Sequence, residues 1–300
     1  MLLKREKMGT WKRIKKEKWS YILLAVPLAM IFLVYILPFI WCLIIGFTTY
    51  FPGREMRWVG MKNYMDAFQD AIFLKSARNT FIYALGVIPG GLIIALVLSY
   101  LIFLLPKPAG TFFKSAFYLP VVTSGVILSL VWLWLFNPVF GFLNYLLSLF
   151  HLPSIMWLGS PKTALPSLIF MNLATAHGGS IILLTATMGN IPTSLYESAR
   201  LDGSNRWQEF WYITFPLLRP IILFLLITGA IFSFKVFTQI YVMTQGGPNY
   251  ATVTLVYRIF VTAFDLFNYG LAFAETIIFG IALIIIAFLQ YKYFSMEIEY

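Results

Sequence analysis

Six long apolar stretches dominate this chain, and they decide what it can fold into. The hydrocarbon core of a bilayer is ~30 Å thick and a helix rises ~1.5 Å per residue, so a span needs ~20 mostly apolar residues. Six windows meet that requirement: 20–47, 79–104, 114–136, 165–189, 217–243 and 269–292. The expected fold class is therefore all-α, a polytopic membrane protein of about six transmembrane helices over 20–300, preceded by a basic segment at 1–19. Composition agrees. Only 11% of the 300 residues are charged and 60% are hydrophobic, whereas a soluble domain carries about 25% charged residues to keep its surface in water.

The net charge of +10 raises the question of a nucleic-acid partner, which the location of the charges answers. Eight of the 22 Lys and Arg precede residue 20 and the others are thinly spread. That suits a membrane-surface anchor, not a groove for phosphates, so no nucleic acid is expected. With the N-terminus inside, fourteen Lys and Arg fall in cytoplasmic segments and seven outside, with Lys235 inside a helix. Positive residues favour the cytoplasmic side, so both termini are expected there. The uncharged run from Trp19 to Gly53 exceeds the 7–15-residue core of a cleavable signal and reads as a retained span.

Several chemistries are not expected. Cys42 is the only cysteine, which leaves no internal disulfide and no thiolate cluster. His151 and His177 stand far apart without nearby Cys or carboxylate ligands, so no metal site is expected. No G-x-x-x-x-G-K-[ST] loop is present, so the chain should not bind ATP itself. Glu275 is the one candidate acid within the membrane, too little for an intramembrane enzyme.

Between the third and fourth windows, Asn137-Pro138, Gly141, Pro153, Gly159 and Pro161 punctuate any helix. Residues 138–163 should form a partly apolar loop with a short interfacial helix from Phe142 to Phe150. Gly86, Gly90-Gly91, Ser124-Gly125 and Gly178-Gly179 lie within the windows, where small residues let helices approach closely. No internal repeat is visible.

The most polar stretch after the N-terminus is 190–216. Ser194 and Glu197 have the S-x-x-E spacing of a capping box, and Gly203 fits the left-handed position that ends a helix. Leu195 to Asp202 should form a helix of about two turns. A second should start near Ser204 or Asn205 and stop before Pro216.

Here the chain resembles a known family. Glu197-Ser198-Ala199, Gly203, Ile213 and Pro216 look like the E-A-A…G…I-x-L-P signature of permease subunits in bacterial and archaeal ABC importers. Ser198 stands for the second-position Ala and Phe215 for Leu. Tyr196-Glu-Ser-Ala-Arg-Leu-Asp-Gly-Ser-Asn-Arg-Trp, Leu135-Phe-Asn-Pro, Trp157-Leu-Gly-Ser-Pro-Lys-Thr-Ala-Leu-Pro, Ser233-Phe-Lys-Val-Phe and Thr244-Gln-Gly-Gly-Pro are similar to its carbohydrate branch, the maltose and glycerol-phosphate type. The resemblance covers most of the chain from about residue 20 onward.

It implies a multi-pass subunit of the cytoplasmic membrane forming half of a translocation pore for a sugar or oligosaccharide. The partners it implies are a second permease subunit, two ATP-binding subunits that carry ATP and Mg, and an extracytoplasmic solute-binding protein. Glu197, Ser198, Ala199 and Gly203 would shape the coupling helix that seats in the ATPase, with Asp202 and Arg206 as polar contacts; the plain reading of Glu197 is a helix cap. The rival is a secondary transporter or channel working without an ATPase.

Polar groups at membrane depth face a cavity or another helix. By position along the family motifs, Asn172, Thr175, Gly179, Gly125 and Ser233 are the candidates for the substrate path, with Phe232 or Phe237 against a sugar ring. His177 is as well suited to bonding a neighbouring helix. Counted from the helix ends, Lys235 lies roughly 12 Å deep and Glu275 ~10 Å, so an interhelical ion pair is expected between them. Phe-Lys-Val-Phe is a familiar variant in the family, so Lys235 does not point to an acidic solute.

Overall fold

The computed structural model describes residues 18–175 and 177–294; most of the basic 1–19 segment lies outside the described residues. Helix α1, Lys18–Ile45, contains Pro27 and widens into a π-turn at Phe32–Ile36, just before Pro38. Each proline removes an N–H from the helical ladder and so loosens it. No residue of Lys18–Ile31 is buried against this chain. Only the far end packs, where Cys42, Leu43 and Phe47 meet Tyr64, Ala274 and Ile277. A two-residue strand β1 (Thr48–Thr49) pairs antiparallel with β2 (Arg57–Trp58). Helix α2 (Lys62–Gln69) is pinned there by Asn63, whose amide donates to the Gly46 and Thr48 carbonyls at 2.9 and 2.8 Å.

Helix α3 (Ala71–Phe103) is the central mast. Asp70 caps it by accepting from the Ile72 and Phe73 amides at 2.6 and 2.9 Å, the arrangement that satisfies a helix's first free donors. Then follow α4 (Lys107–Val122), α5 (Gly125–Leu135), the short α6 (Phe142–Leu149), α7 (Ala164–Thr175), α8 (Gly178–Gly189) and α9 (Thr193–Leu201). Next come α10 (Arg206–Leu217), α11 (Arg219–Phe234) and α12 (Leu255–Phe260); α13 (Tyr269–Phe294) closes the order. The loop at 138–163 and a short helix within it, Phe142–Leu149, agree with the sequence reading.

Of the expected windows, 269–292 lies within an unbroken helix, 79–104 does so except for its last residue, Leu104, and the first lies mostly within α1. The other three need correction. Window 114–136 is broken between α4 and α5, which meet at 99°, and window 165–189 between α7 and α8, at 42°. Window 217–243 is helical only to Phe234 and resumes as a π-turn at Ile240–Thr244. At the first break Thr123 and Ser124 are extended, with ψ of 138° and 134°. Apolar composition registers lipid and is blind to such interruptions.

The mast packs on α4, α7, α8, α11 and α12. Its glycines permit the approach: a Cβ on Gly86 would come 2.9 Å from Ile169 of α7, and one on Gly90 3.0 Å from Leu173. At Gly178 a Cβ would collide with the backbone of Phe117 and Tyr118, so α8 lies directly on α4. Tyr83, Val87, Trp132, Phe136, Leu168 and Ile240 fill the core among α3, α5 and α7.

A buried charge cluster joins three elements. Arg258 of α12, 7% exposed, donates to Asp70 at 2.8 Å and to Glu275 of α13 at 3.3 Å, and Glu275 is fully buried. The expected Lys235–Glu275 pair is not formed: Glu275 pairs with Arg258 instead. Depth along each helix was matched, but rotation about the axis was not known. Removing one partner of a buried pair costs about 3–5 kcal/mol, because the other charge is stranded. Arg258→Met should accordingly lower the thermal midpoint of the purified protein far more than Glu275→Gln. Equal midpoints for Arg258→Met and wild type would show that the cluster is not structural.

Candidate functional site

The interrupted spans converge on a cavity of about 590 Å³. Its wall takes Tyr83, Val87 and Gly91 from α3, Val121 from α4, Asn172 from α7, and Gly179 and Ser180 from α8. Phe232 and Ser233 of α11 complete it, with His177 at the second break and Lys235, Phe237, Thr238 and Gln239 where α11 has ended. A second cavity of about 190 Å³, between Pro120, Gly125 and Thr175, shares Val121, Asn172 and Gln239 with the first. Asn172, Gly179 and Ser233 thus line the larger space, Gly125 and Thr175 the smaller, and Asn172 borders both.

The side chains differ in what they can still offer. Thr175 donates its hydroxyl to the Met171 carbonyl at 2.6 Å, which leaves only its lone pairs. Around Gly179 a Cβ would meet nothing within 4 Å, so that residue opens directly on the space, while a Cβ on Gly125 would touch Thr238 at 3.8 Å. His177 bonds the turn before it, not a neighbouring helix, and it reaches the cavity wall. Its Nε2 lies 2.8 Å from the Leu173 carbonyl and its ring packs on Gly91, yet its edge borders the cavity. Lys235 is the C-cap of α11, where the unpaired carbonyls favour a cation. No carboxylate is among the lining residues of either cavity. Sequence reasoning missed Tyr83. Its hydroxyl is buried beside the Asn172 amide, and among the described residues it completes no hydrogen bond of ordinary geometry. A tyrosine inside an apolar window gives no sign of this.

The second functional element is 190–216. Helix α9 starts at Thr193 after Pro192, with no side-chain cap. The expected Ser194–Glu197 capping box is therefore not formed, because the helix begins before Ser194 and leaves it inside the first turn. The box occurs one helix later: Asn205 accepts from the Gln208 amide at 2.9 Å while Gln208 accepts from the Asn205 amide at 2.8 Å. Gly203 does take the left-handed conformation, φ +85°. The Ser204 amide bonds the Ala199 carbonyl and the Gly203 amide that of Arg200, both at 3.0 Å, which is a Schellman ending. Helix α10 does not stop before Pro216. It passes through a π-turn at Phe210–Thr214 and reaches Leu217.

Three contacts fix this segment as one body. Arg200 donates to buried Glu209 at 2.7 Å, Tyr196 and Thr214 share a hydrogen bond of 2.9 Å, and the Tyr100 hydroxyl at the end of α3 donates to the Arg206 carbonyl at 3.1 Å. Glu209 holds the Arg200 guanidinium more firmly protonated than usual. Glu197, Ser198, Asp202, Gly203 and Arg206 remain exposed and Ala199 half-buried. Leu201, Trp207 and Tyr212 add exposed apolar surface beside them. Among the described residues no three His, Cys, Asp or Glu are grouped to hold a metal.

Residues 108–299 match the family described as binding-protein-dependent transport system inner membrane component. A probable ABC transporter permease protein of Bacillus subtilis, YurN, is 33% identical, over 80% of this chain and 84% of its own length. AmyD of Thermoanaerobacterium thermosulfurigenes, a probable permease for starch degradation products, is 29% identical over 93% and 94%. Among solved structures, a chain of a bacterial alginate ABC transporter, crystallised with a periplasmic protein carrying an alginate pentasaccharide, superposes with a TM-score of 0.83. It is 24% identical, covering 94% of this chain and 95% of that one. With the matched region spanning well over half of its length, this chain belongs to the binding-protein-dependent inner membrane components, the permease subunits of ABC importers.

Proposed function

We propose that the chain forms half of the pore of an ATP-driven importer for a sugar or oligosaccharide, with 194–216 as the element that docks the ATPase. The observation that carries this reading is the cavity at the interrupted spans. Its wall mixes amide, hydroxyl and aromatic groups (Asn172, Ser233, Gln239, Phe232, Phe237) and contains no carboxylate. Amides and hydroxyls match the donors and acceptors of sugar hydroxyls, while aromatic faces suit the ring. The starch-product permease among the relatives supports the same solute class.

In this reading a second permease subunit completes the pore, two ATP-binding subunits supply ATP hydrolysis, and an extracytoplasmic binding protein delivers the solute. Both termini and 190–216 lie in the cytoplasm. Nucleotide binding closes the ATPases, α9 and α10 move with them, and the spans reorient between outward- and inward-open cavities. The exposed face of α9 and α10, apolar with polar edges, suits a protein cleft, and its internal bonds let it move as a lever.

Three outcomes test this. In a Cys42→Ser background, Ser198→Cys should react with a membrane-impermeant maleimide only in inverted vesicles; labelling from the outer side would remove the docking role. A Gly203→Pro chain cannot keep φ at +85°, since proline is fixed near −65°. It should insert and assemble normally, yet lose solute-stimulated ATP hydrolysis in proteoliposomes with all partners present. Asn172→Ala deletes one hydrogen-bonding group at the cavity and should weaken uptake roughly three- to tenfold. Unchanged uptake would take Asn172 out of the solute path.

A further inference from the structure

A row of aromatic rings leads away from the cavity on the side opposite 190–216. Phe237, in the cavity wall, lies 5.2 Å from Phe260 between ring centroids, Phe260 lies 5.1 Å from Phe264, and Phe264 lies 6.5 Å from Tyr269. Tyr269 in turn lies 5.6 Å from Tyr50. Tyr241 flanks the inner end, 5.4 Å from Phe237 and 5.5 Å from Phe260. Four stretches of chain supply these rings, Phe237 with Tyr241, Phe260 with Phe264, Tyr269 and Tyr50, so no single helix produces the row.

We infer that this row is a stacking track for pyranose rings, along which a saccharide passes between the outer face and the cavity. The inference rests on the sugar-importer reading and narrows it to ring-bearing solutes. Aromatic faces carry negative charge and edges positive charge, and the C–H face of a pyranose is weakly positive, so the two stack while the sugar hydroxyls stay at the rim. Along the row, the rings from Phe237 to Tyr50 are tilted or edge-on to one another, at 38–84°. Only Phe237 and Tyr241 lie face to face, at 21°, so each of these two has one face taken while the other rings of the row keep theirs. Phe264 is 56% exposed, Tyr241 47% and Tyr50 37%, which is not the burial of a packing cluster. Among the described residues the Tyr241 hydroxyl has no hydrogen-bond partner, so it is available to a sugar hydroxyl. An aromatic belt at the lipid interface would follow the periphery at headgroup level, whereas this row runs inward to the cavity wall at Phe237. Successive weak contacts of similar strength also suit passage, which needs entry without trapping.

The test uses the complete transporter in proteoliposomes, with Phe260→Leu, Phe260→Tyr and Phe264→Leu chains. The probes are maltose, maltotriose, xylotriose and trigalacturonate as ring-bearing solutes and glycerol 3-phosphate as a ring-free one. Leucine keeps apolar bulk but removes the face. Each Leu variant should raise the KM for an imported saccharide roughly three- to tenfold, with assembly and basal ATP hydrolysis unchanged, and Phe260→Tyr should restore it. Phe264 is so exposed that its replacement leaves folding intact even where Phe260→Leu does not. Wild-type KM in Phe264→Leu overturns the track, as does import of glycerol 3-phosphate alone, and either result leaves the importer reading standing. Import of none of the probes, with ATP hydrolysis working, counts against the sugar reading itself.

Discussion

A helix that breaks inside a bilayer frees backbone N–H and C=O groups that lipid cannot satisfy, so irregular backbone survives there only in protein or beside a water-filled space. Most of this molecule follows from that constraint. The chain interrupts α4–α5, α7–α8 and the end of α11, and all of these breaks border the cavities. The cavity is where the broken spans are allowed to be broken. It also places Gly179, His177 and the Lys235–Gln239 stretch where a passing solute would meet backbone as well as side chains.

A further corner connects the spans to the 190–216 segment. Helix α10 meets α11 at 65°, and Leu218, at that corner, is fully buried in a cluster with Ile181, Leu184 and Met188 of α8. A close-packed cluster of this kind transmits displacement with little slack. Movement of α10 would thus be felt along α8 up to Gly178, which rests on the backbone of α4, and along α11 up to Lys235. At the opposite side the Asp70–Arg258–Glu275 cluster ties the start of α3 to α12 and α13.

Much of this was legible in the residues. Lipid exposure leaves a direct mark, so the number of spans and the location of α3 and α13 could be read, and Gly203 announced its left-handed turn. Other features depend on relations that composition does not carry. Ser194 and Glu197 have the spacing of a cap, but Pro192 lets the helix start earlier, and the box falls at Asn205 and Gln208 instead. Lys235 and Glu275 match in depth, but Arg258 holds the position facing Glu275. Tyr83 was hidden because nothing distinguishes a tyrosine facing a cavity from one packed in a core. Asn172, Thr175, Gly179, Gly125 and Ser233 were chosen from motif position, and the structure brings all five to the two adjoining cavities.

Whether the interrupted spans enclose the solute is decided most directly by imaging it. Cryo-electron microscopy of the assembled transporter, loaded with solute and arrested by a hydrolysis-deficient ATPase, should show density among Asn172, Ser233 and Gln239, next to the break at 123–124 and the start of α8 at Gly178. Solute density elsewhere in the pore, with those places filled only by protein, would contradict the central claim.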